Sequence, residues 1–352
     1  MSATRHLAAF AVAFALVSAS GSTALAQKNY DTGATDTEIK IGNIMPYSGA
    51  ASAYGVIGKT EDAYFRKINA EGGINGRKIT FISYDDAYTP PKTVEQARKL
   101  VESDEVLMIF NSLGTPPNSA IQKYMNQKKV PQLFVATGAT KWNDPKEYPW
   151  TMGWQPNYQS ESIIYAKYIL KNKPDARIAV LYQNDDYGKD YLKGFKDGLG
   201  AKAASMIVAE DSYEVTEPTI DSHIVRLKAS GADVFFNITT PKFAAQAIKK
   251  NAELDWHPLH FLNNVSSSIG SVIKPAGFEA AQGIVSSQYL KDPTDPQWKT
   301  DKGMIAWNQF LDKYYPEANR ADASVMYAYT VAQGLEHVLR ACGDNLTREN
   351  IM

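Results

Sequence analysis

The sequence predicts an α/β protein made of two doubly wound lobes. Short apolar runs alternate with helical patterns along most of the 352 residues. Alternation at this spacing is typical of parallel strands whose sheet is covered by helices on both faces. The alternation stops in a turn-rich stretch at 141–156 and then starts again, and the chain is too long for one ordinary core. Two such series therefore predict two lobes.

The first series lies before the turn-rich stretch. An apolar run at 38–45 predicts a strand, and the Asn75-Gly76 dipeptide predicts a tight turn into the next strand. The predicted elements are strands at 38–45, 78–84, 106–110 and 132–136 and helices at 54–70, 92–103 and 117–127.

The second series has short apolar strands and helices with apolar residues every three or four positions. It contains, in order, a helix at 161–171, a strand at 177–182, a helix at 188–198, a strand at 204–209, a helix at 219–230, a strand at 234–238, a helix at 242–252 and a strand at 260–263. The tail from Met304 is helical in pattern, most clearly at 323–342.

The N-terminus has the pattern of an export signal. A short basic start precedes an apolar run of 11 residues at 7–17, and Ala24-Leu25-Ala26 matches a cleavage site. A bilayer span needs about 20 residues. We therefore predict a signal peptide at 1–26, a mature chain that begins near Gln27 and a soluble protein outside the cytoplasm. An uncleaved membrane anchor is the alternative.

Composition excludes some classes of partner. The formal net charge of −1 argues against nucleic acid, which usually needs a concentrated basic face. Cys342 is the single cysteine, so an exported chain would have no internal disulfide. The 20 tyrosines and 6 tryptophans suit packed cores, and also a cleft that holds a small organic molecule.

Signals for catalysis or metal binding are weak. The chain has no G-x-S-x-G, H-E-x-x-H, Walker A or strand-following G-x-G-x-x-G motif. His257 and His260 could be metal ligands, but a surface loop is the favoured interpretation. Asp185, Asp186 and Asp190 suit the start of a helix, where the helix dipole favours acids. We predict no enzyme activity, no metal and no cofactor.

Two loops after predicted strands have the composition of an anion site. Ligands of open α/β sheets collect beyond the carboxyl ends of the strands. The loops at 111–118 and 137–140 combine small residues, hydroxyls and backbone N–H groups beside a helix start, which suits a carboxylate. An ordinary helix cap is the alternative. The candidate residues in these loops are Gly114, Thr115, Thr137, Gly138, Ala139 and Thr140.

Several motifs resemble those of periplasmic solute-binding proteins of the branched-chain amino acid type, which feed ATP-driven importers. The most specific is Asn69-Ala-Glu-Gly-Gly-Ile-Asn-Gly-Arg77. The segments that carry the resemblance are 39–42, 45–49, 54–55, 68–78, 84–86, 166–170, 177–180, 186–188 and 227–233. The resemblance implies two α/β lobes joined by three crossing strands, a ligand closed between them and no catalysis. It also implies a membrane permease as partner.

The resemblance assigns roles to particular residues. It implies that Thr115, Gly138 and Thr140 hold a ligand carboxylate, and that Tyr54 and Tyr187 make aromatic contacts. Further candidates at the cleft are Trp154, Gln155, Thr239, Asn263 and Asn264.

The sequence also departs from the family pattern. Amino-acid-binding members carry an acid near 262–266 that pairs with the ligand ammonium, and this chain has Asn263 and Asn264 there. A buried ammonium without a countercharge costs several kcal/mol. We therefore expect an aromatic or other amine-free carboxylate, with a branched-chain amino acid as the alternative if another acid substitutes. Positions that form a disulfide in some members are Tyr88 and Gly114 here.

These observations together predict a monomeric periplasmic substrate-binding protein of an ABC importer. A sensor domain of the same fold is the alternative. We expect lobe one at 27–153 plus 290–352 and lobe two at 154–289, with crossings near 154–158 and 284–290. Family members usually continue beyond the stretch that ends at 352, so we expect the third crossing and the last strands of lobe two to lie outside this sequence.

Overall fold

The structure is a computed structural model that describes residues 28–352. The predicted signal peptide at 1–26 lies outside the described residues. The predicted α/β class is confirmed, because two separate parallel sheets of five and four strands carry helices on their faces. A third, two-stranded sheet joins segments from the two ends of the described chain.

Lobe one contains the first elements of the described chain. Its elements are β1 Asn29–Tyr30, β2 Glu38–Met45, α1 Val56–Ala70, β3 Lys78–Asp85, α2 Pro90–Arg98, β4 Met108–Phe110, α3 Thr115–Lys128, β5 Gln132–Val135 and β6 Thr151–Gly153. The sheet order is β3-β2-β4-β5-β6, with every pair parallel. The central strands β4 and β5 are buried along their whole length, which explains their nearly continuous apolar sequences.

Lobe two repeats this plan. Its elements are α4 Tyr158–Asn172, β7 Ile178–Gln183, α5 Asp186–Leu199, α6 Ala203–Met206, β8 Ile207–Tyr213, α7 Asp221–Ala229, β9 Val234–Ile238, α8 Pro241–Glu253 and β10 Leu259–Leu262. The sheet order is β10-β9-β7-β8, again parallel. A short helical segment follows, with α9 at Lys274–Ala276, and it packs against α8 and β10.

The chain then returns to lobe one. Its last elements are α10 Lys302–Tyr314, α11 Ala323–Cys342, β11 Asn345–Leu346 and α12 Arg348–Ile351. Helix α11 packs on α1, where the rings of Tyr64 and Tyr329 meet edge to face at 5.3 Å. Strand β11 pairs with β1, and the buried guanidinium of Arg77 contacts Asp344 at 2.5 Å beside that pair. Among residues 28–352 no helix is both long and apolar enough to span a bilayer.

Most predicted elements agree with the structure to within a few residues, and three differ for physical reasons. Strand β6 lies in the stretch predicted as turns, because its three residues are too few to show a period. The predicted strand at 204–209 begins with the helical turn α6. The strand itself runs to Tyr213 through polar residues, because β8 is a sheet edge. The predicted helix at 92–103 changes to a π-helical turn at Lys99–Ser103.

Candidate functional site

The carboxyl ends of the two sheets face each other across a cleft of about 850 Å³, including its part open to solvent. Aromatic hydroxyl side chains dominate the lining. They are Tyr54, Tyr88, Tyr158, Tyr187, Tyr289 and Tyr327. Burial raises the pKa of Tyr54, Tyr187 and Tyr327 well above the usual value, so these phenols are neutral at physiological pH. The cleft therefore offers aromatic surface and uncharged hydroxyl groups.

The structure brings about half of the predicted site residues to this cleft. Those that line it are Tyr54, Gly114, Thr115, Gln155, Tyr187 and Asn264. The predicted residues that do not line it are Thr137, Gly138, Ala139, Thr140, Trp154, Thr239 and Asn263.

Thr115 is the first residue of α3 and lies in the cleft wall. Gly114 precedes it with a φ of 101°, a conformation that side chains other than glycine rarely adopt. A Cβ at residue 114 would also lie 2.5 Å from the ring of Tyr88. Because Pro116 and Pro117 have no N–H, Thr115 supplies the donors of this helix start. Its Oγ1 lies 2.5 Å from Oγ1 of Thr137, which is buried behind it.

The loop at 138–140 lies behind the cleft wall, contrary to the sequence prediction. The carbonyl of Gly138 accepts a hydrogen bond from the backbone N–H of Tyr158 at 2.8 Å. A Cβ at residue 138 would lie 2.7 Å from the Tyr158 ring, so that ring occupies the space a side chain would need. Thr140 donates from its N–H and its hydroxyl to Asp190, at 2.9 and 3.0 Å. Ala139 is buried, at the base of an outer depression that Asp190 also lines.

Trp154, Thr239 and Asn263 support the cleft from behind. The Trp154 ring packs on Phe134, with centroids 4.8 Å apart, instead of facing the cleft. Thr239 donates to Oδ1 of Asn237 at 2.7 Å. In the amide orientation that satisfies both ends of Asn263, its oxygen accepts from the Tyr187 hydroxyl at 2.6 Å and its nitrogen donates to the carbonyls of Asn237 and Thr239. Asn263 thus positions a cleft tyrosine.

Asn264 lines the cleft, but its backbone N–H and its side-chain amide form hydrogen bonds with other residues of the protein. Its backbone N–H donates to Oε1 of Glu161 at 2.7 Å, and its side chain donates to the Ser287 carbonyl at 2.7 Å. Glu161 is half-buried behind the lining and also accepts hydrogen bonds from Tyr165 and Tyr191. Burial raises the pKa of Glu161 although these donors act in the opposite direction.

The two charged lining residues of the described chain, Lys291 and Asp292, are both engaged. The ammonium of Lys291 contacts Asp301 at 2.6 Å. Oδ1 of Asp292 accepts two hydrogen bonds from Thr294, each 2.7 Å long. Within residues 28–352 no cluster of three or more His, Cys, Asp or Glu could hold a metal ion. The remaining polar lining consists of hydroxyls and amides.

The rims of the two lobes are joined by a serine–aspartate clasp, formed by Ser268, Ser271 and Asp322. Asp322 caps α11 of lobe one and accepts from Ser268 at 3.0 Å and from Ser271 at 3.2 Å. Both serines belong to lobe two. Nearby, the N–H of Gly270 donates to the carbonyl of Ala321 at 2.7 Å.

Sequence reasoning missed several lining residues, including Tyr88, Tyr289 and Tyr327. Tyr327 lies on α11, where an aromatic residue on an apolar stripe is typical of the core. Tyr88 follows Asp85 and Asp86, whose carboxylates accept from the backbone N–H groups of Ala87 and Tyr88 in a turn. No local pattern distinguishes these tyrosines from core aromatics, because the fold brings them together from distant parts of the chain.

Comparison with known proteins agrees with this architecture. A family model described as "Periplasmic binding protein" matches residues 38–352. Two proteins of Brucella abortus, named Leu/Ile/Val-binding protein homolog 2 and homolog 1, are 26% and 27% identical to this chain. The matches cover 89% and 90% of this chain and 81% and 82% of those proteins.

Three solved structures share the fold. A substrate-binding periplasmic protein from Ralstonia solanacearum has a TM-score of 0.81 at 23% identity, over 89% of this chain and 87% of that one. A branched chain amino acid ABC transporter protein from Thermus thermophilus, with bound valine, has a TM-score of 0.77 at 15% identity, over 90% and 81%. A solute binding protein from Rhodopseudomonas palustris, in complex with 3,4-dihydroxy benzoic acid, has a TM-score of 0.74 at 21% identity, over 89% and 84%. The chain therefore belongs to the periplasmic binding protein family, in its branched-chain amino acid type.

Proposed function

We propose that this protein is the periplasmic substrate-binding component of an ABC importer and captures an amine-free carboxylate, most favourably an aromatic acid. The observation that carries this proposal is the chemistry of the cleft. Tyrosine rings line it, neutral hydroxyls and amides supply its polar groups, and its two charged lining residues are engaged with Asp301 and Thr294.

Within residues 28–352 the cleft lining contains one acid, Asp292, and its Oδ1 is already hydrogen-bonded by Thr294, which disfavours an amino acid ligand. An α-ammonium enclosed between the lobes loses its water and needs a carboxylate partner. Asp292 already accepts two hydrogen bonds, and Glu161 lies behind Asn264 with three donors of its own. A ligand carboxylate needs no such partner, because Thr115 and the positive end of the α3 dipole suit an anion.

The relatives support both kinds of ligand within this fold. The R. palustris protein was solved with an aromatic acid, and the T. thermophilus protein was solved with valine. The names of the Brucella proteins favour a branched-chain amino acid as the second candidate. The tyrosine-lined cleft of this chain favours the first.

The proposal includes the boundaries and the motion of the lobes. We place lobe one at 27–153 plus 290–352 and lobe two at 154–289, with hinges near 154–158 and 284–290. The ligand would be enclosed by hinge closure, and the closed form would be recognised by membrane permease subunits. We propose a monomer that is exported to the periplasm and performs no catalysis.

A thermal-shift screen tests the ligand class. Benzoate, 3,4-dihydroxybenzoate and phenylpropenoates are compared with leucine, isoleucine and valine at equal concentration and neutral pH, because mass action sets the size of each shift. We expect the aromatic acids to raise the melting temperature more. A large shift with leucine and none with any aromatic acid would overturn the proposal in favour of the amino acid.

A further inference from the structure

We infer that Thr137 is a positioning residue that fixes the hydroxyl of Thr115 as a hydrogen-bond donor toward the ligand. This inference rests on the proposed function, in which Thr115 meets an acceptor group of the ligand. Thr137 itself does not line the cleft.

Within residues 28–352 three hydrogen bonds determine the direction of the Thr137 hydroxyl. The Tyr158 hydroxyl also lies near it but makes no hydrogen bond of normal geometry with it. Its Oγ1 lies 3.3 Å from the backbone N of Ala139, 3.3 Å from Nε1 of Trp142 and 2.5 Å from Oγ1 of Thr115. A hydroxyl has two lone pairs and one hydrogen. A backbone N–H and an indole N–H can only donate, so they occupy both lone pairs. The hydrogen of Thr137 is therefore the one donated to Thr115.

It follows that the Thr115 oxygen acts as an acceptor on its buried side. Its own hydrogen then remains for another partner, and within residues 28–352 the Thr115 hydroxyl has no hydrogen bond besides the one to Thr137. Because Thr115 lines the cleft at the start of a 14-residue helix, a carboxylate oxygen of the ligand is the matching acceptor.

The loop at 139–143 holds this arrangement in place. Trp142 is buried in a helical turn, Thr140–Asn143, whose first residue is anchored twice by Asp190. The indole N–H is thereby held against Thr137. The loop at 137–140, which the sequence predicts to contact the carboxylate directly, would thus act indirectly by orienting the Thr115 hydroxyl.

The chemical consequence is selectivity for acceptor groups. A ligand with an alcohol group in place of the carboxylate should bind more weakly, because the uncharged alcohol oxygen is a weaker acceptor for the Thr115 hydroxyl. In Thr137→Val the Thr115 hydroxyl is free to rotate and can accept as well as donate. The preference for an acid over the matching alcohol should therefore decrease in that variant.

Calorimetry on the full chain tests the inference. The probe is whichever of 3,4-dihydroxybenzoate and leucine raises the melting temperature more, together with its alcohol analogue. We expect Thr115→Val to weaken binding of the acid about 10- to 150-fold and Thr137→Val about 3- to 10-fold. Thr137→Ser, which keeps the hydroxyl, should stay within about twofold of wild type, and the double variant should bind about as weakly as Thr115→Val alone.

Thr151→Val is the matched control, because Thr151 is a buried threonine of the same lobe with two hydrogen bonds away from the cleft. Its affinity should be unchanged even if its melting temperature decreases. Wild-type affinity in Thr137→Val, or independent effects in the double variant, would overturn the inference alone. Wild-type affinity in Thr115→Val would overturn the proposed anchor and the inference together, while a preference for leucine with both threonine effects intact would overturn only the proposed ligand class.

Discussion

The hydroxyl of Tyr54 donates a hydrogen bond to the backbone carbonyl of Val265, 2.9 Å away on the opposite side of the cleft. Tyr54 lies in the short helix Ser52–Gly55 that leads into α1 of lobe one, and Val265 follows β10 of lobe two. Both residues line the cleft. The bond therefore forms only when the lobes are close together, and under the proposed hinge closure it would couple a cleft-lining ring to that motion.

Tyr54→Phe removes this bond and keeps the ring. A neutral hydrogen bond contributes about 0.5–1.5 kcal/mol, so ligand affinity should decrease about 2- to 10-fold, mainly through faster dissociation. Stopped-flow kinetics with calorimetry would measure it. Tyr84→Phe is the control, because the Tyr84 hydroxyl bonds Asp104 within lobe one. Equal effects of the two substitutions would contradict a role in closure.

Ser268→Ala weakens the serine–aspartate clasp without removing the α11 cap, which Asp322 provides to the N–H of Ser324. In wild type we expect a saturating ligand to reduce the radius of gyration in solution X-ray scattering. In the variant the decrease should be smaller, because two hydrogen bonds between Ser268 and α11 are lost. Ser205→Ala, on the surface of lobe two, should behave as wild type. A radius that ligand leaves unchanged in wild type would indicate a rigid cleft.

Gly138→Ala should weaken ligand binding strongly. The new Cβ would lie 2.5 Å from the carbonyl oxygen of Pro156 and 2.7 Å from the Tyr158 ring, so the ring must move within the cleft wall. Overpacking of this kind costs about 1–3 kcal/mol. Calorimetry would measure the loss of ligand affinity, and thermal melting would measure the loss of stability. Gly153→Ala is the matched control, because its Cβ would make an ordinary 3.4 Å contact with Trp142. Full ligand affinity in Gly138→Ala would exclude the Tyr158 ring from recognition.

His260 should make the stability of lobe two depend on pH. Burial lowers the pKa of His260 to about 3, against 6.5 for the free side chain. Above pH 6.5 the histidine is neutral in both states and contributes no pH dependence. As the pH falls through 6.5 the unfolded chain binds the proton first, so the free energy of unfolding decreases by about 2 kcal/mol between pH 7 and pH 5.

Denaturant titrations of wild type and His260→Gln at pH 7 and pH 5 isolate this effect. The acids with raised pKa values, such as Glu161, are common to both proteins and cancel in the difference. The variant should lose less stability on acidification than wild type does. Parallel losses would show that the imidazole is protonated in the folded protein.

The sequence predicted the fold well because the signals for it are local. The run at 234–238 matches β9 without error, since a strand buried on both faces needs apolar residues at nearly every position, and Asn237 is its one polar residue. One of the two candidate loops, 111–118, contributes Leu113, Gly114 and Thr115 to the cleft lining, whereas no residue of 137–140 does. Which residue of a loop faces the cleft depends on contacts made far away in sequence. Thr140 turns toward Asp190, and Tyr158 occupies the space beside Gly138.

The cleft tyrosines also show why local sequence patterns do not identify every site residue. Tyr327 reaches the site from α11, where it accepts a hydrogen bond from Asn111 at 2.8 Å across more than two hundred positions of the chain. Asn111 has a φ of 52°, at the end of β4, and this left-handed conformation is one that asparagine tolerates better than most residues. A local pattern contains no information on such a pairing.

The unequal way in which the two sheets are assembled has a consequence for biosynthesis. The four strands of lobe two come from one uninterrupted stretch, 178–262, whereas the main core of lobe one combines residues near 39–136 with α10 and α11. During translation lobe two is therefore complete while lobe one still exposes the α1 surface that α11 will cover. The long sequence separation of these contacts means that lobe one cannot bury this apolar surface until its last helices are synthesised, so its folding must follow that of lobe two.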